Sequence, residues 1–156
     1  MNRLFFSSLV FLAAFFIHPS VAVAQKGYNN KLLAIEILKL VNDHRAGKGL
    51  GPLKMNDIIS QAAEKHSGNM ASGKIPFGHD GFDERMARVT KQLKPANAWA
   101  ENVAYGSHDA KEIVDMWLHS PGHKKNIEGD YNLSGIGIAK GTDGNYYYTQ
   151  IFINKG

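Results

Sequence analysis

The sequence predicts one mixed α/β domain with a largely antiparallel sheet, and three observations carry that reading. The chain has 156 residues, enough for one domain of ordinary size. Hydrophobic residues make up 44% and charged residues 21%, the balance of a folded chain rather than a disordered one. The apolar pattern runs through helical segments, a strand, another helix and a closing pair of strands around a tight turn. That order mixes helices with hairpin-type pairing.

The first 24 residues read as a signal peptide and not as part of the fold. Arg3 is their only charge, Leu4–Ile17 is apolar apart from Ser7 and Ser8, and Ala22-Val23-Ala24 is a small-x-small site. These are the three parts of a secretory leader. The apolar stretch is 14 residues long, short of the ~20 that a spanning helix needs. The expected division is 1–24 signal peptide and 25–156 folded domain.

Each element has its own signal. Lys31–Ala46 places Leu33, Ile37, Leu40 and Val41 on one helical face, and Gly47 and Gly49 supply a stop. Asn56 suits the N-cap of a helix over Asp57–Ala71, with Ile59, Ala62, Ala63, His66 and Met70 inward. Gly73, Pro76, Gly78 and Gly81 predict a loop, and Asp83–Gln92 a short helix. Ala98–Tyr105 predicts a strand. Ser107 is the expected cap of a helix running to His119, which Pro121-Gly122 ends. Leu133–Ala139 alternates its residues, Thr142-Asp143-Gly144-Asn145 predicts a hairpin turn, and Tyr146–Ile153 the returning strand.

The absence of cysteine removes disulfides, thiolate metal sites and a Cys nucleophile. A formal net charge of +4 is too small and scattered to predict nucleic-acid binding. Histidine is the informative residue. His66 falls on an apolar helix face and reads as a core histidine held by one hydrogen bond. His44 and His108 read as surface residues. Arg85, Arg88, Lys91 and Lys94 recur every three residues and read as a solvated helix face.

His79 lies in the glycine-flanked Phe77-Gly78-His79-Asp80-Gly81, and His123 in Ser120-Pro121-Gly122-His123. Glu101 is a lone carboxylate in an otherwise uncharged strand, costly there unless something pairs with it. Two imidazoles and a carboxylate are a familiar zinc ligand set, although no local motif joins these three. There is no H-E-x-x-H and no G-x-S-x-G.

Several stretches together resemble the CAP superfamily of cysteine-rich secretory, antigen 5 and pathogenesis-related proteins, in its bacterial SCP-like branch. They are Val41-Asn42-Asp43-His44-Arg45 with Gly49-Leu50-Gly51-Pro52-Leu53, the helix around Ala62–Ala71, Gly78-His79-Asp80-Gly81, Ala100-Glu101-Asn102-Val103-Ala104, Trp117–Ile127 and Thr149-Gln150-Ile151-Phe152. The resemblance covers nearly all of the chain after the leader. It implies an α+β fold, a three-layer α-β-α sandwich around a mainly antiparallel sheet. It also implies a cleft lined by two histidines and two glutamates that in some members hold a divalent metal. His79, Glu101 and His123 match three of the four. Ser120 stands where the second glutamate is expected, which leaves an open, weakly ligated site for Zn2+ or a similar ion. The family's usual disulfides are missing.

Three readings of function follow. One is a secreted module, extracellular or periplasmic, whose cleft binds a lipid, a sterol or a cell-envelope partner. The second is a metal-dependent hydrolase in which the ion activates water. The third is a structural envelope protein.

Overall fold

The computed structural model describes residues 19–156, with side chains from Asn30 onward. The predicted leader lies outside the described residues as far as His18. Its last six positions, with the expected junction after Ala24, are helical backbone. Five helices and four strands are described: α1 (Pro19–Gly47), β1 (Lys54–Met55), α2 (Asp57–Ala71), α3 (Phe82–Gln92), β2 (Ala98–Gly106), α4 (Ala110–His119), α5 (Pro121–Ile127), β3 (Leu133–Lys140) and β4 (Tyr146–Asn154). No described helix is long and apolar enough to cross a membrane.

The sheet order is β1-β3-β4-β2. β4 pairs antiparallel with both β2 and β3, and the short β1 adds a parallel edge to β3. The sheet is therefore mixed, with its long pairings antiparallel as expected. Strand alternation sends successive side chains to opposite faces. Tyr148 and Phe152 of β4 meet Ile37 and Val41 of α1, Ile113 and Trp117 of α4 and Ile127 of α5. Ile151 and Ile153 meet Ile59 and Ala63 of α2 and Met86 and Val89 of α3. Two helical layers thus sandwich one sheet, each over its own apolar cluster.

The β3 alternation has a steric purpose. Ile136 and Ile138 face the α1 layer, while Gly135 and Gly137 face α2. A Cβ on Gly137 would lie 2.1 Å from backbone atoms of Ala63 and Glu64, so only glycine lets α2 rest directly on the strand. Ser67 of α2 is seated there, its hydroxyl donating to Gly137 O at 3.0 Å and bonding Thr149 at 2.8 Å.

Arg45 closes the other layer. Its buried guanidinium donates to the carbonyls of Gly51, Ile127, Gly129 and Tyr131 at 2.7–3.0 Å. It thereby ties the end of α1 to the turn between α5 and β3. His44 beside it is engaged by Glu128 at 2.8 Å, a tighter contact than a free surface histidine makes.

Two element boundaries differ from expectation, and one helix is added. α1 begins at Pro19 rather than near Lys31. The N-cap of α4 is Asp109, whose Oδ1 accepts from Glu112 N at 2.9 Å, instead of Ser107. α4 ends at His119 as expected, and Pro121 then opens a further helix, α5, at whose first turn its missing N–H is no loss.

Candidate functional site

The site is centred on Glu101, whose side chain is 1% exposed on β2. Strand alternation turns it toward α2 and α3, and its neighbours come from both helices and the loop between them. Gly81 starts α3 with φ +70°, a left-handed turn that glycine makes at no steric cost. The loop before it is pinned twice. His66 Nε2 bonds Gly78 O at 2.9 Å, and the Phe77 ring packs edge-on against Tyr105 at 5.0 Å. His79 follows directly after these anchors and before the turn at Gly81.

Both carboxylate oxygens of Glu101 are engaged. Arg85 Nε donates to Oε2 and Nη2 to Oε1, each at 2.8 Å, the bidentate fork that guanidinium geometry favours. His79 Nδ1 bonds Oε1 at 2.9 Å, and His66 Nε2 stands 3.8 Å from the same oxygen. Arg85 Nη1 points back to Asp80 O and Gly81 O at 3.2 and 3.3 Å. The lone strand carboxylate has a full complement of partners, and its counter-charge is an arginine.

The four predicted site residues fare differently. His79 and Glu101 are hydrogen-bonded to each other. His79 is 51% exposed, so it joins the buried pair to solvent. His123 sits on α5, where its backbone carbonyl accepts from Asn102 Nδ2 at 3.1 Å. Its Nδ1 is buried without a partner. Burial, and then the nearby charge of His79, push the His123 pKa below the ordinary histidine value. Ser120 sits at the junction of α4 and α5, its N–H on Trp117 O and its carbonyl accepting from Lys124 N. It does not line the cavity at His79. His66 is the core histidine expected, and burial lowers its pKa, with Glu101 opposing.

That cavity, about 290 Å³, is lined by His79, Phe82, Trp99, Ala100, Glu101 and Asn126. Trp99 is 42% exposed. Asn126 braces the floor by donating to Glu101 O at 3.2 Å and Asn102 Oδ1 at 2.8 Å. The lining holds no hydroxyl or thiol nucleophile. Arg85 and His66 border a separate groove of about 600 Å³ between α2 and α3.

Sequence reasoning missed Arg85. It is buried, whereas Arg88 and Lys91 of the same stripe are exposed as expected. The signal was available: Arg85 shares the helix face of Met86 and Val89, and a buried strand carboxylate calls for a cation.

The donors do not fit a metal as they stand. Among the described residues no group of three or more His, Cys, Asp or Glu is arranged to hold an ion. Glu101 is saturated by Arg85 and His79, and His66 Nε2 is committed to Gly78 O. Of the expected ligands, this leaves His79 Nε2 and the His123 ring.

A mixed sheet between two helical layers, with a histidine–glutamate cleft opening over β2, defines an SCP-like domain. Residues 38–152 match the family described as CAP, the cysteine-rich secretory protein family, and the chain belongs to it. It is 32% identical over 126 residues to the uncharacterized protein YkwD of Bacillus subtilis, covering 77% of this chain and 46% of that protein. To the uncharacterized membrane protein YlbC of the same organism it is 30% identical over 125 residues, 77% of this chain and 34% of the other. The chain thus spans less than half the length of either relative. An extracellular SCP-domain protein from Bacillus anthracis superposes with a TM-score of 0.66 at 26% identity, over 80% of this chain and 41% of that one. An outer surface protein from Borrelia burgdorferi gives a TM-score of 0.63 at 24% identity, over 83% of this chain and 94% of that one.

Proposed function

We propose that this CAP-domain protein is exported and acts as a binding module whose cleft at His79 takes an amphiphile of the lipid or sterol class. The observation that carries the choice is the engagement of Glu101. A carboxylate bonded by Arg85 on both oxygens and by His79 is not free to act as a base itself or to hold a metal-activated water, which takes away the part that the hydrolase reading gives to Glu101. The cavity instead sets apolar Trp99 and Phe82 beside the polar edge of His79, a division that suits a ligand with an apolar body and one polar end. Export is supported by the leader-like first 24 residues and by the extracellular character of the similar Bacillus anthracis protein.

Trp99 supplies the assay. The chain has two tryptophans, and the other, Trp117, is fully buried. Titration with oleate or a soluble sterol sulfate should shift Trp99 emission to the blue and saturate. The response should vanish in Trp99→Phe and weaken in His79→Ala. A flat titration with both probes sinks the amphiphile reading. Intact mass of material collected outside the cytoplasm tests export; a species retaining Met1 contradicts cleavage after Ala24.

A further inference from the structure

The residues implied by family resemblance would place a divalent ion against Glu101. The structure places a different cation there. Arg85 reaches both carboxylate oxygens at 2.8 Å, and its remaining fork is held by two carbonyls at the start of α3. The pair is shielded from water, with side chains 7% and 1% exposed. We infer that Arg85 is the built-in cation of this cleft: its guanidinium takes the face of Glu101 that a metal would need, and while it is there the carboxylate is closed to an ion.

The physics is direct. Guanidinium keeps its charge at every accessible pH, so the position is permanently occupied. A divalent ion on Glu101 would have to displace a bidentate pair or stand beside a buried positive charge, and charges repel strongly where water is excluded. His79 is drawn into the same arrangement. With Nδ1 on Glu101 its ring is oriented by the carboxylate, and only Nε2 is left for a ligand. Removing the guanidinium while keeping its bulk returns the carboxylate to one imidazole contact. Glu101 then has lone pairs for an ion, with His79 in contact beside it as an imidazole donor.

The inference concerns the cleft of the proposed binding module but does not need the amphiphile. Its probe is the metal alone, so either reading can fail by itself. Zn2+ is titrated calorimetrically into the wild type, Arg85→Met and Arg85→Met/His79→Ala. The wild type should show no saturable binding that depends on Glu101. Arg85→Met should bind one ion at least about tenfold more tightly, and the added His79→Ala should abolish the gain. Two results overturn the inference: wild-type zinc binding that Glu101→Gln removes, or a folded Arg85→Met that binds no better than the wild type. Should Arg85→Met not fold, carbon NMR of the wild type decides alone. A Glu101 carboxyl resonance unmoved by excess Zn2+ supports the arginine lock, and a perturbed one overturns it.

Discussion

Replacing Gly137 by alanine tests the idea that direct contact of helix on strand organises both the fold and the site. The added Cβ would lie 2.1 Å from Ala63 C and Glu64 N and 2.4 Å from Ala63 O. All three are backbone atoms, so no rotamer change relieves the clash, and α2 must retreat by roughly 1 Å or more to restore ordinary contact. Overpacking of this kind costs about 1–3 kcal/mol and occasionally more. The retreat also strains the Ser67 hydrogen bonds to Gly137 O and Thr149, each worth about 1 kcal/mol. The sum is about 3–5 kcal/mol, a large part of a typical domain's ~5–15 kcal/mol. For a domain of this size the melting temperature should fall by on the order of 10–20 °C. Urea and thermal unfolding followed by circular dichroism measure both quantities. Gly68→Ala is the control: it lies on the same helix with nothing within 4 Å of its Cβ, and it should stabilise by about 0.5–1 kcal/mol. If Gly137→Ala unfolds within about 1 kcal/mol of the wild type, α2 does not rest on β3 as described.

Arg45→Lys leaves at least one of four carbonyls without a donor, because an ammonium has three N–H groups on one atom and cannot reproduce the fork. It should cost about 2–4 kcal/mol in urea unfolding, and an unchanged midpoint would refute the role. Glu101→Gln leaves Arg85 buried with a poorer partner and should lose about 3–5 kcal/mol, read as a drop in melting temperature. His66 and His123 have folded pKa values below their unfolded 6.5, chiefly through burial. The unfolded chain therefore binds more protons in acid. Stability should be flat above about pH 7 and decline as pH falls from about 6.5 through the depressed folded values. His66→Gln should shallow that decline; a variant with the wild-type slope would show that His66 contributes nothing to it.

What could be read from the sequence was whatever is local. Asn56 caps α2 through its own side chain, accepting from Ile58 N and Ile59 N, and the glycine–isoleucine alternation of β3 is visible by eye. The layering followed from family resemblance as much as from pattern. What escaped was set by tertiary contact. A two-residue β1 has no signal of its own and exists because β3 offers it an edge. Pro121 marks the end of α4, but the seven-residue α5 that it opens is too short to show a period of its own. Ser107 and Asp109 are both good caps, and only the direction of α4 chooses between them. In the site, Glu101 announced that it needed a partner, and His79 stood out by its flanking glycines. Arg85 was hidden in a basic stripe whose other members behave as solvated residues do.

The Arg45 fastening also bears on the environment the domain can tolerate. It bridges segments 82–86 residues apart in sequence, a span over which cysteine-bearing proteins commonly use a covalent bond, and the chain contains no cysteine. A guanidinium clasp forms without an oxidant and is not cut by thiols. The fold should therefore mature at the same rate with or without disulfide-forming enzymes. It should also keep its stability in glutathione or dithiothreitol, where disulfide-braced domains of similar size come apart.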